Sequence, residues 1–255
     1  MKVDYYLPPG PLADVAEQAR RAARLGFDGI FSVDTAHEPF MPLVAAAPEA
    51  PGLDLGTAIA VAFARSPMTV AQAAWDLTQL SHGRFLLGLG TQIRAHITRR
   101  FSMPWGRPGP QMKEYIAALR AIWTAWQDGE RLRFQGDYYN FSLMTPFFDP
   151  GPVAHDPPPV YIAGVGEYMC RLAGAVCDGF HVHPLHTTRY LDEVVLPRME
   201  EGAAAAGRSL DDVERASTVF VVTGRDEREM ASAAHAVKQQ ISFYASTPAY
   251  GAVLD

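Results

Sequence analysis

The chain has few cysteines, no long apolar run and no excess of basic residues. With 2 cysteines in 255 residues, it has no disulfide framework, and we expect Cys170 and Cys177 to be reduced, buried packing residues of a cytoplasmic protein. The formal net charge of -6 argues against nucleic acid as a partner. No apolar run reaches about 18 residues, and no basic segment precedes an apolar one at the N-terminus. We therefore expect neither membrane insertion nor export.

What the chain does contain is a hydrophobic fraction of 48%, which is enough to bury one large core. Short segments that are apolar on both faces alternate with segments whose apolar residues recur at helical spacing. That alternation is typical of a parallel sheet covered by helices, and the length is close to that of an eight-unit α/β barrel. No linker or change of composition divides the chain, so we predict one domain, 1–255.

Seven βα units are predicted. The predicted strands are 2–7, 27–34, 53–64, 85–90, 160–163, 179–182 and 216–223, and the predicted helices are 12–25, 41–47, 68–80, 111–126, 167–176, 190–206 and 227–244. Two insertions interrupt the rhythm, near 91–110 and 128–156. Long loops rich in arginine, aromatic residues or proline are typical of lids and binding loops, and a solvated insertion is the alternative.

The second insertion contains a predicted β-hairpin, because apolar residues alternate about a Gly-Asp turn within 131–143. Aromatic residues of the two insertions either line a pocket for an apolar ligand or pack the loops down, and both interpretations stay open. These residues are Phe101, Trp105, Phe134, Tyr138, Tyr139 and Phe141.

Polar side chains and glycines follow the carboxyl ends of the predicted strands, which is where α/β barrels carry their chemistry. Acidic, histidine and arginine groups on one rim suit proton transfer to a polar or anionic ligand. The residues in question are Asp34, His37, Glu38, Thr57, Ala58, Ile59, Gly90, Thr91, Gln92, His96, Arg99, Arg100, His181 and His183.

Each of these groups also has an ordinary interpretation. Asp34 could cap the helix that follows it, and His37 could be a loop histidine without a role. The two neighbouring arginines could form only a charged helix face. His181 and His183 share one face of a strand, but no third ligand with suitable spacing accompanies them, so we predict no metal site.

The glycine turn after the fifth predicted strand is the most informative single feature. Unpaired N–H groups and the dipole at a helix N-terminus attract anions, and glycine lets a phosphate approach the main chain. We therefore expect a phosphorylated cofactor or substrate here, although such turns also end plain α/β units. The residues of the turn are Ala163, Gly164, Val165 and Gly166.

Three segments together resemble a known family: FDGIFSVDTAHEPF, LDLGTAIAVAFARSPMTVAQAAWDLTQLSHGRFLLGLGTQ and PPPVYIAGVGEYMCRLAGAVCDGF. They are similar to the bacterial luciferase-like superfamily, and specifically to its coenzyme F420-dependent oxidoreductases. The resemblance covers nearly the whole chain and implies an α/β fold, a TIM (β/α)8-type barrel that binds its cofactor at the carboxyl rim, and a homodimer. Since seven units are predicted, we expect the eighth βα unit to be absent from this chain.

The resemblance also implies roles for the rim. The deazaflavin ring would stack on Ala58 and Ile59, which a non-prolyl cis peptide would join, with Asp34 near the ring edge. The implied catalytic residues are Asp34, His37 and His96, of which His37 or His96 would donate a proton to the substrate as hydride leaves the reduced ring. The other residues implied to bind the cofactor are Thr57, Gly90, Thr91, Gln92 and, at its phosphate, Ala163, Gly164, Val165 and Gly166.

The implied activity is hydride transfer between coenzyme F420 and a small organic substrate. FMN is the alternative cofactor, because both molecules offer a tricyclic ring and a ribityl phosphate. Reduced FMN activates oxygen, whereas a deazaflavin carries hydride and reacts poorly with oxygen. The alternative functions are therefore an FMN-dependent luciferase-like monooxygenase and, from another class, a non-catalytic flavin-binding barrel.

Overall fold

The computed structural model describes residues 1–247 and 250–254. The chain forms two compact units, unit 1 over Met1–Ile162 and unit 2 from Ala163 onward. Each unit combines parallel strands with helices. A single domain over 1–255 stays a prediction.

Unit 1 contains a parallel sheet in which neighbouring strands follow the order β1, β2, β3, β5, β8. A short strand, β4, follows β3 along the chain and also pairs with β5. The strands are β1 Asp4–Tyr6, β2 Gly29–Ser32, β3 Asp54–Thr57, β4 Ala60–Val61, β5 Phe85–Gly90 and β8 Val160–Gly164, whose last residues belong to unit 2.

The helices of unit 1 begin and end at residues suited to those positions. Gly26 ends α1 with a left-handed φ of 79°, and Ser66 caps α3 by accepting a hydrogen bond from the N–H of Met68 at 3.2 Å. Trp75 on α3 and Trp123 on α4 are fully buried. The helices are α1 Val15–Leu25, α2 Phe40–Ala46, α3 Pro67–Leu80, α4 Pro108–Asp128, the 3-10 turns Leu12–Asp14 and Ala62–Ala64, and the π-helix His96–Arg100.

The predicted hairpin is confirmed. Strands β6 (Phe134–Gln135) and β7 (Asn140–Phe141) pair antiparallel, and the N–H of Gly136 donates to the carbonyl of Tyr139 at 3.0 Å. The tip of the hairpin therefore consists of residues 136–139.

Unit 2 contains two parallel strands, β9 (Gly179–Val182) and β10 (Glu214–Ser217). Helices α5 and α7 pack closely, because Gly174 lies against the backbone of Met199 where a side chain would not fit. The helices are α5 Glu167–Val176, α6 Thr188–Tyr190, a π-helix Leu191–Val195, α7 Leu196–Ala205, a 3-10 turn Leu210–Asp212, α8 Glu227–Ala245 and α9 Gly251–Leu254.

The strand predicted over 216–223 is wrong over most of its length. Strand β10 ends at Ser217, and residues 218–224 form neither helix nor strand. The β-branched residues there favour a strand locally, but a strand also needs a partner. The partner β9 ends at Val182, opposite Ser217, and Val219 and Val221 are exposed.

Over the described ranges, no helix is both long enough and apolar enough to cross a membrane.

Candidate active site

The carboxyl ends of β2, β3 and β5 lie side by side in unit 1. The N–H of Ala58 donates to the carbonyl of Ser32 at 2.7 Å, and the N–H of Asp34 donates to the carbonyl of Ile59 at 3.0 Å. These two bonds join the segment after β2 to the segment after β3. Asp34, Ala58 and Ile59 are therefore neighbours on one rim, as the strand order requires.

A bulge separates β3 from β4. Gly56 is opposite Leu86 and Ala60 is opposite Leu89, so the β3–β4 side has one residue more than β5. The Ala58–Ile59 peptide bond within this bulge is cis, which confirms the expectation from the family resemblance.

The hydroxyl of Thr57 bridges the bulge. It donates to the carbonyl of Gly88 at 2.7 Å and accepts from the N–H of the same residue at 3.0 Å. Thr57 is completely buried, so its side chain connects two strands at this point.

Asp34 has two partners for its carboxylate. Its carboxylate lies 2.5 Å from Nη1 of Arg65 and accepts a hydrogen bond from the N–H of Val61 at 3.1 Å. The side chains of Asp34 and Arg65 are only 3% and 20% exposed, so the ion pair is shielded from water. Asp34 thus bonds both flanks of the bulge, through its own N–H to Ile59 and through its carboxylate to Val61.

Glu38 takes the capping role considered for Asp34. Its Oε2 accepts hydrogen bonds from the N–H groups of Phe40 and Met41, both at 2.8 Å, at the start of α2. Its Oε1 lies 3.5 Å from Nη2 of Arg65. The interpretation of Asp34 as a helix cap is therefore wrong.

Gly90 lies directly below the side chain of Ile59. A Cβ atom at Gly90 would lie 2.7 Å from Cδ1 of Ile59, which is closer than side chains pack. The glycine therefore lets Ile59 lie across the end of β5. Ile59 and Ala58 are half-buried, so this part of the rim presents an apolar surface beside polar groups.

The loop after β5 begins with two residues that bond to their own backbone. The Thr91 hydroxyl donates to the carbonyl of Gln92 at 3.0 Å, and Oε1 of Gln92 accepts from the N–H of Ile93 at 3.0 Å. Gln92 has a positive φ of 58°, a conformation that few non-glycine residues adopt. Both side chains are half-buried at the end of the strand.

The two candidate proton donors differ in environment. His37 is exposed. His96 lies on the π-helix, and its Nδ1 is buried without a hydrogen-bond partner in the part of the chain that is described. Short π-helical turns occur frequently at functional sites.

Arg100 connects the loop to the segment after β2. Its guanidinium donates to the carbonyl of Thr35 and lies over the ring of Phe101, 4.6 Å from the ring centre. Arg99 is exposed. The π-helix that carries His96 is thereby bonded to the segment that carries Asp34 and His37.

Arg65 is not among the site residues predicted above, although its guanidinium is the partner of Asp34. The available signal is the Arg-Ser-Pro sequence, in which an arginine directly precedes a helix cap and follows a buried strand. Such an arginine must find an acceptor, but the sequence does not say which carboxylate supplies it.

The glycine turn lies in unit 2, and its chemistry comes from the main chain. Gly166 is the residue before α5, has an extended conformation and has no side chain that could accept from the first N–H groups of the helix. A Cβ atom placed on it would meet nothing within 4 Å. The hydroxyl of Tyr190 donates to the carbonyl of Val165 at 2.6 Å. The carboxylate of Glu167, in the first turn, is paired with Arg171 at 2.9 Å.

His183 lies just after β9 in an aromatic cluster of unit 2. Its ring stacks on Tyr250 at 4.3 Å and meets the edge of Tyr244 at 4.7 Å. Its Nδ1 accepts the N–H of Leu185 at 3.1 Å, so the proton of the neutral ring lies on Nε2. Burial lowers the pKa of His183 to about 4.

His181 lies on β9 and is buried. Cys170 and Cys177 are also buried, on α5 and directly after it. Burial raises the pKa of the Cys170 thiol to about 11, which makes it a poor nucleophile. Among the residues that the structure describes, no group of three or more His, Cys, Asp or Glu side chains is arranged to hold a metal ion.

A parallel sheet with a polar rim at its strand ends, a bulge beside that rim and a glycine turn before a helix are features of an α/β-barrel ligand site. Residues 2–254 match the model of the luciferase-like monooxygenase family. The chain belongs to this family, and the luciferase-like TIM-barrel fold class predicted from the sequence is confirmed.

Two relatives and one solved structure illustrate the similarity. An uncharacterized protein of Mycobacterium tuberculosis is 51% identical over 247 residues, which is 97% of this chain and 73% of that protein. An F420-dependent glucose-6-phosphate dehydrogenase of Intrasporangium calvum is 32% identical over 228 residues, 84% of this chain and 66% of the relative. The coenzyme F420-dependent tetrahydromethanopterin reductase from Methanopyrus kandleri has a TM-score of 0.78 at 22% identity, covering 97% of this chain and 73% of that one.

Proposed function

We propose that the protein is a coenzyme F420-dependent oxidoreductase that transfers a hydride between the deazaflavin and a small organic substrate. The observation that carries the proposal is the rim of unit 1, where an apolar surface at Ala58 and Ile59 adjoins the bonded carboxylate of Asp34. The π-helix that carries the half-buried His96 is bonded to the same rim through Arg100. The named activity of the Intrasporangium calvum relative supports F420 in preference to FMN. The sugar phosphate in that name is not carried over to this chain.

The rim fits a flat tricyclic ring. Ala58 and Ile59 form an apolar surface, Gly90 leaves room below the side chain of Ile59, and Thr91 and Gln92 present polar groups next to it. When bound, F420 supplies a two-electron hydride carrier that reacts poorly with oxygen. We further propose that the phosphate of the cofactor is bound by Ala163, Gly164, Val165 and Gly166 of unit 2.

Asp34 acts in this proposal as a positioning residue. Its carboxylate is already bonded to Arg65 and to the N–H of Val61, so it holds the bulge in shape beneath the ring. Thr57 has a similar task, because its hydroxyl binds the main chain of Gly88. Direct proton donation by Asp34 would require the loss of the ion pair.

Proton transfer to the substrate is assigned to His96, with His37 as the alternative donor. Within the described ranges, the buried Nδ1 of His96 has no hydrogen-bond partner, and such a polar atom can bond to a ligand. The exposed ring of His37 exchanges its proton with water and is less able to direct it. We further propose a cytoplasmic homodimer that acts on a small molecule, with neither a nucleic acid nor a membrane as partner.

The experiment that tests the proposal is a fluorescence titration of the protein with F420 and, separately, with FMN. We expect saturable binding of F420 at concentrations where FMN does not bind. Preferential binding of FMN would favour the alternative of an FMN-dependent monooxygenase. If neither F420 nor FMN binds, the proposed cofactor site is refuted. With F420 bound, His96→Ala and His37→Ala are compared by single-turnover reduction of candidate acceptors, and equal rates in both variants would remove the assignment of His96.

A further inference from the structure

The carboxylate of Glu114 lies inside the tip of the β6–β7 hairpin. Glu114 is on the second turn of α4, and its two oxygens accept hydrogen bonds from three successive backbone N–H groups, those of Asp137 at 2.9 Å, Tyr138 at 2.7 Å and Tyr139 at 2.6 Å. A side chain on Gly136 would collide with this carboxylate. Hydrogen bonds to a charged acceptor are stronger than neutral ones, so the tip is fastened to α4.

The fastened tip directs Tyr139 inward. Its hydroxyl accepts a hydrogen bond from Nε2 of Gln111 at 3.0 Å, and its ring meets Tyr115 edge-on at 5.4 Å. The hydroxyl of Tyr115 donates to the carbonyl of Arg65 at 3.3 Å. Burial raises the pKa of both tyrosines, so each remains a neutral hydroxyl at physiological pH. Tyr139 therefore packs the hairpin against α4. Through Tyr115 it is connected to the backbone of Arg65, the partner of Asp34.

The same tip holds the insertion after β5 through Tyr138. A Cβ atom at Gly106 would lie 2.7 Å from Cε1 of Tyr138, so the ring covers the backbone of the insertion at this point. The preceding residue, Trp105, packs edge-on against Phe63 at 5.9 Å, next to the end of β4. Residues 105 and 106 of the insertion thus lie between Phe63 on one side and the hairpin tip on the other.

We propose that Glu114 is a positioning residue of the active site: by binding the hairpin tip it fixes the course of loop 92–107, which carries His96, and closes the substrate side of the rim. Glu114 touches neither substrate nor cofactor in this proposal and acts through Tyr138 and Gly106. The proposal rests on the proposed function for the identity of the ring that the loop covers. Its structural part stands independently of that function.

The first test is hydrogen exchange followed by mass spectrometry on the protein without ligand. In Glu114→Ala we expect the tip amides of 137–139 to exchange about tenfold or more faster, because each loses a charged acceptor, and loop 92–107 to lose protection with them. Glu114→Gln keeps one acceptor oxygen and should give an intermediate result. Glu130→Ala, which removes an exposed carboxylate just after α4, is the matched control and should change neither segment.

The second test measures access to bound F420 by collisional quenching of its fluorescence with iodide. We expect the quenching constant to rise about threefold or more in Glu114→Ala, to be partly restored in Glu114→Gln and to be unchanged in Glu130→Ala, because an ordered loop excludes water and ions. The affinity for F420 should change less than about twofold, since Thr91 and Gln92 remain attached to β5.

The two tests separate the possible failures. Faster exchange of the tip with unchanged exchange of loop 92–107 would overturn the proposal, because Glu114 would then hold only the hairpin. Absence of F420 binding in the unaltered protein would refute the proposed function, and the exchange experiment would still decide the role of Glu114.

Discussion

The rim of unit 1 and the glycine turn of unit 2 are both positioned after parallel strands, yet they are built from different parts of the chain. The rim depends on side chains. The buried carboxylate of Asp34 is paired with the guanidinium of Arg65, and His96 lies on the π-helix. The turn depends on main-chain N–H groups, with Gly166 open to solvent and one tyrosine hydroxyl bonded to the carbonyl of Val165. A carbon-centred reaction needs directed acids and apolar surface, whereas a phosphate needs only oriented dipoles.

This difference predicts that substitutions affect the two regions unequally. The rim contains charges that cannot be separated without a large loss, so removal of one partner should destabilise unit 1 strongly. The turn contains no buried charge pair of that kind, so changes there should alter binding more than folding. The following four predictions test this contrast from the largest expected effect to the smallest.

Arg65→Ala should lower the free energy of unfolding by about 3 kcal/mol, because the carboxylate of Asp34 would remain buried without its partner. Urea denaturation measures the loss. Lys2→Ala is the control, since it removes the partner of Asp54 from an exposed pair and should cost less than about 1 kcal/mol. An equal loss of unfolding free energy in the two variants would show that the Asp34–Arg65 pair stabilises the fold no more than an exposed ion pair does.

Gly90→Ala should destabilise unit 1 by about 2 kcal/mol and weaken F420 binding, because the new methyl group displaces Ile59 from the end of β5. Thermal unfolding and fluorescence titration measure the two effects. Gly52→Ala is the matched control, because a Cβ atom there meets nothing within 4 Å. Normal F420 affinity in Gly90→Ala would mean that the position of Ile59 does not matter to the ligand.

His183 should make the stability of unit 2 depend on pH. Its folded pKa of about 4 lies below the ordinary value of 6.5, so the unfolded chain binds more protons between these values and stability falls as the pH is lowered through this window. The loss should be about 1 to 2 kcal/mol after allowance for partial exposure of the ring.

His183→Gln should flatten this dependence in denaturation curves recorded between pH 4 and 7. The groups that face the ring are Tyr244, Tyr250 and His186. His235→Gln, an exposed histidine on α8, should leave the pH dependence as it is. A pH dependence that persists unchanged in His183→Gln would assign it to another group.

Tyr190→Phe should have the smallest effect on folding and a selective effect on binding. Because a peptide unit is planar and trans, the hydroxyl that holds the carbonyl of Val165 also directs the N–H of Gly166 to the opposite side. Loss of that bond is worth about 1 kcal/mol, or about a fivefold weaker affinity for F420.

The measurement for Tyr190→Phe compares F420 with a deazaflavin that lacks the phosphate. Only the affinity for the phosphorylated ligand should fall, and the exposed Tyr168→Phe should bind both ligands normally. An equal loss for both ligands would mean that Tyr190 acts elsewhere than at the phosphate.

Much of the fold could be predicted from the sequence because short apolar runs between turn residues fix where strands begin and end. The bounds of β5, α5 and β9 agree with the predictions, and the hairpin follows from its alternating pattern. Strand β10 departs from the prediction because local propensity says nothing of where the partner strand ends.

The rim could be predicted as a set of positions but not as a set of bonds. Strand order alone places Asp34 beside Ile59, whereas its pairing with Arg65 joins residues 31 positions apart. Glu114 was beyond prediction for the same reason, since a glutamate on a helix is ordinarily a solvated charge and its partners lie on a hairpin more than 20 residues away. The contacts to cofactor and substrate remain predictions.

The bulge between β3 and β4 also has a consequence for how related chains are compared. Since side chains alternate between the faces of a strand, the one extra residue before β4 reverses the facing of Ala60 and Val61 relative to an uninterrupted strand. Deleting residue 58 or 59 would remove the bulge and leave Ala60 and Val61 opposite Leu89 and Gly90, with their facing unchanged. An alignment with a relative that lacks the bulge therefore needs a one-residue gap here, because without it β4 would be shifted by one position and each of its residues equated with one of the opposite face.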